Sequence, residues 1–240
     1  MHPTRRFALM PATATEPANA RRRARVLRLA GLYALTPDID NTATLLAKVA
    51  AALDGGASAV QYRHKTAPES LRRAQAAALA RVHAARGALY IVNDDPALAA
   101  AVGADGVHIG AADDSIASAR EWVGPDRVIG VSCYDDLERA RLAVAAGADY
   151  VAFGSFFPSA TKPHARRASI ALLAQARMLD VPVVAIGGID AGNAPALVDA
   201  GADAVAVIHD VFAHDDPNDI RDAAAALAGC FSRRRGATAS

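Results

Sequence analysis

Short apolar runs rich in β-branched residues alternate along most of the chain with longer segments of helical periodicity. One pattern, Gly-Ala-(Asp or Ser)-x-Val, recurs as GASAV from Gly56, GADGV from Gly103, GADYV from Gly147 and GADAV from Gly201, at intervals of 44–54 residues. The segments around the first repeat are helical in period. Leu45, Leu46, Val49, Ala52 and Leu53 share one face of TLLAKVAAALDGG, and Leu71, Ala74, Ala78, Leu79 and Val82 do so in PESLRRAQAAALARVHAA, whose Pro68 and Glu69 suit a first turn. Each repeat therefore reads as a helix end, a glycine in the left-handed conformation and a strand entering the core. Four more apolar runs lie between the repeats, at residues 31–36, 88–92, 127–132 and 181–188.

The pattern thus predicts eight strands, each followed by a helical segment. The strands are continuously apolar, as strands buried on both faces are. A period of this length over this many units predicts one α/β domain, a TIM (β/α)8 barrel, across residues 25–230. An open doubly wound sheet is the alternative, but it does not call for eight evenly spaced units, and no early GxGxxG is present. The flanks differ in composition. Residues 1–24 are rich in Arg, Ala and Pro and read as a disordered extension, with a short helix around Ala20–Leu29; residues 231–240 read as a disordered tail. No run approaches the ~20 apolar residues of a membrane span, and a cytoplasmic protein is expected.

Net charge is +1 and only 5% of residues are aromatic, which argues against nucleic-acid binding and against a charged membrane surface as partner. Cys133 and Cys230 have no metal-ligand spacing and read as reduced thiols. The polar residues are distributed unevenly. The strand starts are plain Gly-Ala-Asp turns, whereas the strand ends carry Gln61, Arg63 and Lys65, then Asn93 and Asp94, Asp113 and Asp114, Ser132 and Cys133, the long loop 154–167, Gly187 and Gly188, and Ile208 and His209. In a barrel of this kind the C-terminal strand ends carry function. Asp94 and Asp113 leave neighbouring strands, and two carboxylates with open positions suit Mg²⁺ bound to substrate phosphate. Arg63 and Lys65 supply cations for the same anion. Gly187 and Gly188, with the turn after the last strand, suit a second, backbone-held phosphate. Plainer readings stand beside these: Asp94 as the cap of the helix near Pro96, Asp113 or Asp114 as the next cap, Arg63 and Lys65 as a solvated strand end, and Gly187–Gly188 as turn chemistry. His108 reads as a hydrogen-bonded core residue, and Trp122 and Tyr150 as packing.

The stretches GLYALTPD, GGASAVQYRHK, IVNDD, ADGVHIG, IGVS, GADYVAFGSFFPSATK and VVAIGGI together resemble the thiamine phosphate synthase family over about residues 30–215. That family joins hydroxymethylpyrimidine diphosphate to a thiazole phosphate and releases pyrophosphate. The resemblance implies that Gln61, Arg63, Lys65 and Asn93 hold the pyrimidine diphosphate, with Tyr62 and His64 beside them, and that Asp94 and Asp113 bind Mg²⁺. It implies that Ser132 contacts the pyrimidine near its reacting carbon and Lys162 the diphosphate. Ser159, Ala160 and Thr161 would bind the thiazole phosphate, with Gly188, Ile208 and His209 cradling it by backbone. Arg63, Lys65, Ser132 and Lys162 would carry the catalysis. The implied partners are the two small substrates, with no nucleic acid or membrane, and a homo-oligomer is open. The chain departs from the family pattern at His64 (usually Glu), Ala111 (usually Gln), Ser159 (commonly Thr) and His209 (commonly Ser). A TenI-type thiazole tautomerase and a non-catalytic thiamine-phosphate-binding regulator are the alternatives on the same barrel.

Overall fold

Parallel strands buried on both faces need helices on one side and one another's side chains on the other, and a ring of βα units provides both. The computed structural model describes residues 15–110, 115–158 and 167–237. Among these residues, eight strands run β1 (Gly31–Leu35), β2 (Ala59–Tyr62), β3 (Leu89–Asn93), β4 (Gly106–Ile109), β5 (Val128–Tyr134), β6 (Tyr150–Phe153), β7 (Val183–Ile186) and β8 (Ala204–Val207). Each pairs in parallel with its sequence neighbour, and β8 closes onto β1. Helix α1 (Glu16–Arg28) precedes β1. Then α2 (Thr42–Asp54), α3 (Glu69–Ala84), α4 (Pro96–Ala101), α5 (Ile116–Val123), α6 (Leu137–Ala145), α7 (Ala171–Ala176) and α8 (Ala194–Ala200) follow β1 to β7 in turn. A short α9 (His209–Phe212) and a long α10 (Pro217–Ala237) follow β8. The expected closed barrel is the observed fold.

Alternation along each strand divides the core in two. Tyr33, Leu35, Ala59, Leu89, Ile91, Tyr150 and Val184 fill the barrel interior, while Leu32, Ala34, Val60, Val107 and Val151 meet the helices. The recurring Gly-Ala-Asp has a structural role at the strand starts. The carboxylates of Asp105, Asp149 and Asp203 accept the N–H groups of Tyr90 (3.0 Å), Ile129 (2.8 Å) and Val183 (2.9 Å), each at the start of the preceding strand. Each Asp thus stitches an odd strand to the next even one, which is why the period is two βα units. In the first repeat Ser58 takes this place and donates its hydroxyl to Leu32 O at 3.0 Å. The four repeat glycines all have positive φ (69–120°), as the strand-entry turn requires.

The flanks depart from expectation. The N-terminal helix begins at Glu16 rather than near Ala20, so residues 16–24 are helical, not disordered; residues 1–14 lie outside the described residues. Its arginines find carboxylates on the barrel floor: Arg22 with Asp149 (3.2 Å), Arg25 with Asp105 (2.9 Å) and Arg21 with Asp126 (3.4 Å). Leu29, 2% exposed, and Val26 pack into the barrel interior and plug that end. At the other terminus α10 continues through residue 237 into the stretch expected to be disordered, anchored by buried Phe231, and residues 238–240 lie outside the described ones. Trp122, expected to pack, is 58% exposed on α5, whereas Tyr150 is buried as expected. Among the described residues no helix is long and apolar enough to cross a membrane.

Candidate active site

The C-terminal strand ends open onto one cavity of about 920 Å³. Strand β2 shows how alternation loads it. Gln61, Arg63 and Lys65 line the cavity, while Tyr62 and His64 turn outward. The Tyr62 hydroxyl donates to Gln75 Oε1 of α3 at 2.9 Å. His64 lies 3.0 Å from Asp40 through Nε2 and accepts the Ala67 N–H at Nδ1 (3.1 Å). Both are therefore removed from the expected substrate contacts, because a period of two sends them to the helix side. The Arg63 backbone is locked to the end of β1, since the Thr36 hydroxyl accepts its N–H and donates to its carbonyl, both at 2.9 Å. Asp38 holds the Arg63 guanidinium at 3.2 Å and the Lys65 N–H at 3.3 Å.

Next to this cationic edge, Asn93 and Asp94 also line the cavity. Asp94 takes a left-handed backbone (φ 59°), with its N–H donated to His108 O at 2.8 Å and its Oδ2 accepting the Asn93 amide at 2.5 Å. The helix cap here is the neighbouring Asp95, which accepts Leu98 N–H at 2.8 Å, so the capping reading of Asp94 fails. Asp113 and Asp114, with Ala111, lie outside the described residues, as do Ser159, Ala160, Thr161 and Lys162. Among the described residues no three His, Cys, Asp or Glu side chains cluster as a metal site. Asp94 is nevertheless a hard oxygen donor beside two cations. That donor set fits Mg²⁺, which takes one or two carboxylates and fills the remaining positions with water and phosphate oxygens.

Strand β7 lies opposite β3 in the eight-strand ring, and its end carries Gly187 and Gly188. Gly188 has φ 64°, and a Cβ there would sit 2.2 Å from Pro158 O; one on Gly187 would sit 2.1 Å from Ser155 Oγ. The 155–158 segment packs into the space a Cβ would take at each position, so glycine is required for this close approach of loop to strand end, and both glycines border the cavity. Ile208 and His209 border the same space. Asp210, also in the wall, has its carboxyl held above the usual range, first by burial and then by the Asp190 carboxylate.

The floor is polar and fully connected. Gln61 Nε2 donates to the Tyr33 hydroxyl (2.8 Å), which meets the Tyr150 hydroxyl (3.0 Å); Tyr150 meets His108 Nδ1 (3.0 Å), and His108 Nε2 meets Ser132 Oγ (2.9 Å). Burial pushes both phenols well above their ordinary titration range, so they remain protonated donors. His108 is the hydrogen-bonded buried residue expected, but it borders the cavity as well. Tyr33, Tyr134 and Arg139 were not anticipated. Tyr33 shares the inward period of Leu35, a signal present in the sequence. Tyr134 sits at φ 53° with the Arg139 guanidinium 5.6 Å from its ring centre, and that arrangement has no local signature. Cys133, buried on the helix side of β5, has its thiol pushed up to about 12 by burial, which disfavours the thiolate.

A family model described as thiamine monophosphate synthase matches residues 32–211, three-quarters of the chain and all eight strands except the first residue of β1. The chain belongs to the thiamine monophosphate synthase family. Thiamine-phosphate synthase from Chromobacterium violaceum is 56% identical over 207 residues, covering 86% of this chain and 99% of that protein. The Thiobacillus denitrificans enzyme of the same name is 54% identical over 203 residues, 84% and 95% of the two chains. Among solved structures, thiamine phosphate pyrophosphorylase from Pyrococcus furiosus superposes with a TM-score of 0.75 at 35% identity, covering 86% of this chain and 98% of its own. Of the family's expected set, Gln61, Arg63, Lys65, Asn93, Asp94, Ser132, Gly188, Ile208 and His209 all border one cavity.

Proposed function

We propose that this cavity carries out thiamine-phosphate synthase chemistry, joining hydroxymethylpyrimidine diphosphate to a thiazole phosphate with release of pyrophosphate. The observation that carries the reading is the pairing, within one cavity, of a cationic and carboxylate edge on β2 and β3 with the Gly187–Gly188 backbone at the end of β7. One edge suits a diphosphate and the other a monophosphate, so the two substrates bind with their reacting ends between them.

Arg63 and Lys65 grip the diphosphate and offset its charge as the methylene C–O bond breaks and the bonding pair leaves with pyrophosphate. Gln61 and Asn93 orient the bound group. Asp94, together with Asp113, would hold Mg²⁺, which when bound adds positive charge beside the departing diphosphate. Ser132 lies at the carbon end, where the electron-rich aminopyrimidine spreads the positive charge of the methylene. The thiazole nitrogen then supplies the electron pair for the new C–N bond. Gly188, Ile208 and His209 hold the thiazole phosphate through backbone groups; by the family resemblance Ser159, Ala160 and Thr161 would assist them and Lys162 would contact the diphosphate. No general base or covalent nucleophile is called for, so catalysis is positioning and charge stabilisation.

A thiazole tautomerase has no use for the diphosphate edge that Gln61, Arg63, Lys65, Asn93 and Asp94 form here. The test is to supply both substrates with Mg²⁺ or with a chelator, and to measure pyrophosphate and thiamine phosphate. The expected result is one pyrophosphate per thiamine phosphate, lost on chelation. Tight substrate binding with no pyrophosphate would point instead to a regulator, and isomerisation of the thiazole alone to a tautomerase.

A further inference from the structure

We propose that Tyr33, Tyr150 and His108 are positioning residues that fix which way the Ser132 hydroxyl points its proton, so that Ser132 serves as a hydrogen-bond donor to the substrate. The proposal rests on the reading of Ser132 as a pyrimidine contact. The five groups form one row across the barrel interior, from Gln61 on β2 through Tyr33 on β1, Tyr150 on β6 and His108 on β4 to Ser132 on β5. Five different strands contribute, so no local segment sets it.

The direction of the row follows from counting protons. Gln61 Nε2 can only donate, so the Tyr33 oxygen accepts from it. Tyr33 is 1% exposed, and its own proton goes to the oxygen within reach, that of Tyr150. The Tyr150 proton then goes to His108 Nδ1. A ring nitrogen that accepts leaves the imidazole proton on the other, so His108 donates from Nε2 to Ser132 Oγ. The Ser132 proton is the one not used within the row, and Ser132 borders the cavity. With a neutral imidazole the row has one alternative state, in which the Gln61 amide is turned over and every bond reverses, leaving Ser132 as an acceptor. The Gln61 orientation selects between them, so one wall residue of the diphosphate edge is linked to the hydroxyl at the reacting carbon. Hydrogen bonds in such a row also polarise one another. Room for it is built into the fold: Gly130 faces the Tyr150 ring, and a Cβ there would lie 1.9 Å from Tyr150 Cζ.

Two measurements test this. The first is a double-mutant cycle of Tyr150→Phe with Ser132→Ala, with Tyr33→Phe as a second way to cut the row should Tyr150→Phe fold poorly. Tyr150→Phe is expected to lower kcat roughly three- to tenfold, with the KM for thiazole phosphate within about twofold of wild type. In the Ser132→Ala background the same change should then have no further effect on kcat. Independent, multiplying effects would mean that Tyr150 does not act through Ser132 and would overturn the proposal. The second is ¹⁵N NMR of the imidazoles in the whole protein, with the His108 signals identified among the seven histidines by their loss in His108→Gln. A proton on Nε2 with Nδ1 bare is expected, and a proton on Nδ1 would overturn the proposal. The NMR result does not depend on turnover, so a wild type that released no pyrophosphate would refute the proposed reaction while leaving this test standing.

Discussion

Arg63 is the residue whose chemistry separates the two anion sites. Its backbone is fixed by Thr36 and its guanidinium by Asp38, so the fork is already aimed when a diphosphate arrives. Arg63→Ala removes charge-assisted bonds to one substrate alone. The KM for the pyrimidine diphosphate should rise about 10- to 100-fold, with that for the thiazole phosphate changed far less; steady-state kinetics with each substrate varied in turn would show it, and an equal rise in both would refute two separate sites. His83 makes a different kind of prediction. Its ring is buried, stacked 4.6 Å from the Tyr90 ring and bonded through Nδ1 to Leu79 O at 2.9 Å, and burial lowers its affinity for a proton. The unfolded chain binds that proton at about 6.5. The stability tied to the neutral ring is therefore complete above that value and lost as pH falls below it toward the lower folded value. Urea denaturation should show wild type losing more stability between about pH 7 and about pH 5 than His83→Gln does. Equal losses would mean that His83 is not a proton-linked element of the fold.

At the scale of elements, the Gly-Ala-Asp repeat decides how strands are joined. Asp149 accepts both the Ile129 N–H (2.8 Å) and the Arg120 guanidinium (2.7 Å) with its side chain 10% exposed. Asp149→Ala would leave a strand N–H and a cation without their acceptor, at a cost of about 2–4 kcal/mol. Ser58→Ala, at the equivalent place in the first repeat, removes a single neutral bond and should cost about 1 kcal/mol or less. Equilibrium urea denaturation of the two variants checks the ranking, and equal costs would contradict the stitching role. The repeat itself was plain in the sequence, as were the eight strands, because both are written in local periods. The work of the Asp was not, since its N–H partner lies 15–20 residues back in the preceding strand. The same limit explains α1. Arg25 reads as part of a solvated basic run until its carboxylate partner, 80 residues on, is in place. Tyr62 and His64 are a different case. The alternation that placed Gln61, Arg63 and Lys65 in the cavity also excluded these two, so the information was there and simply applies to all five positions.

The whole molecule has two ends with different tasks, and the distance between them makes this testable. The floor is closed by α1, through Leu29 and Val26 in the interior and through Arg22 and Arg25 on Asp149, Asp105 and Asp126. The reacting groups sit at the opposite strand ends. The seven residues of β5 alone span roughly 20 Å, more than twice the ~8 Å screening length of physiological salt. A charge removed from the floor is thus too remote to alter the field at the diphosphate edge, while the Arg22 and Arg25 side chains are only 30% and 23% exposed and their carboxylate partners are part of the strand stitching. Arg22→Ala with Arg25→Ala should lower stability by about 1–3 kcal/mol. Because the stitches from Asp105 and Asp149 to the strand N–H groups remain, the barrel should stay closed and kcat and both KM values should stay within about twofold of wild type. Urea denaturation and steady-state kinetics on the same preparation decide the matter: a loss of turnover in a variant still folded at the assay temperature would show that the floor helix governs the mouth, and the division of labour between the two ends would have to be given up.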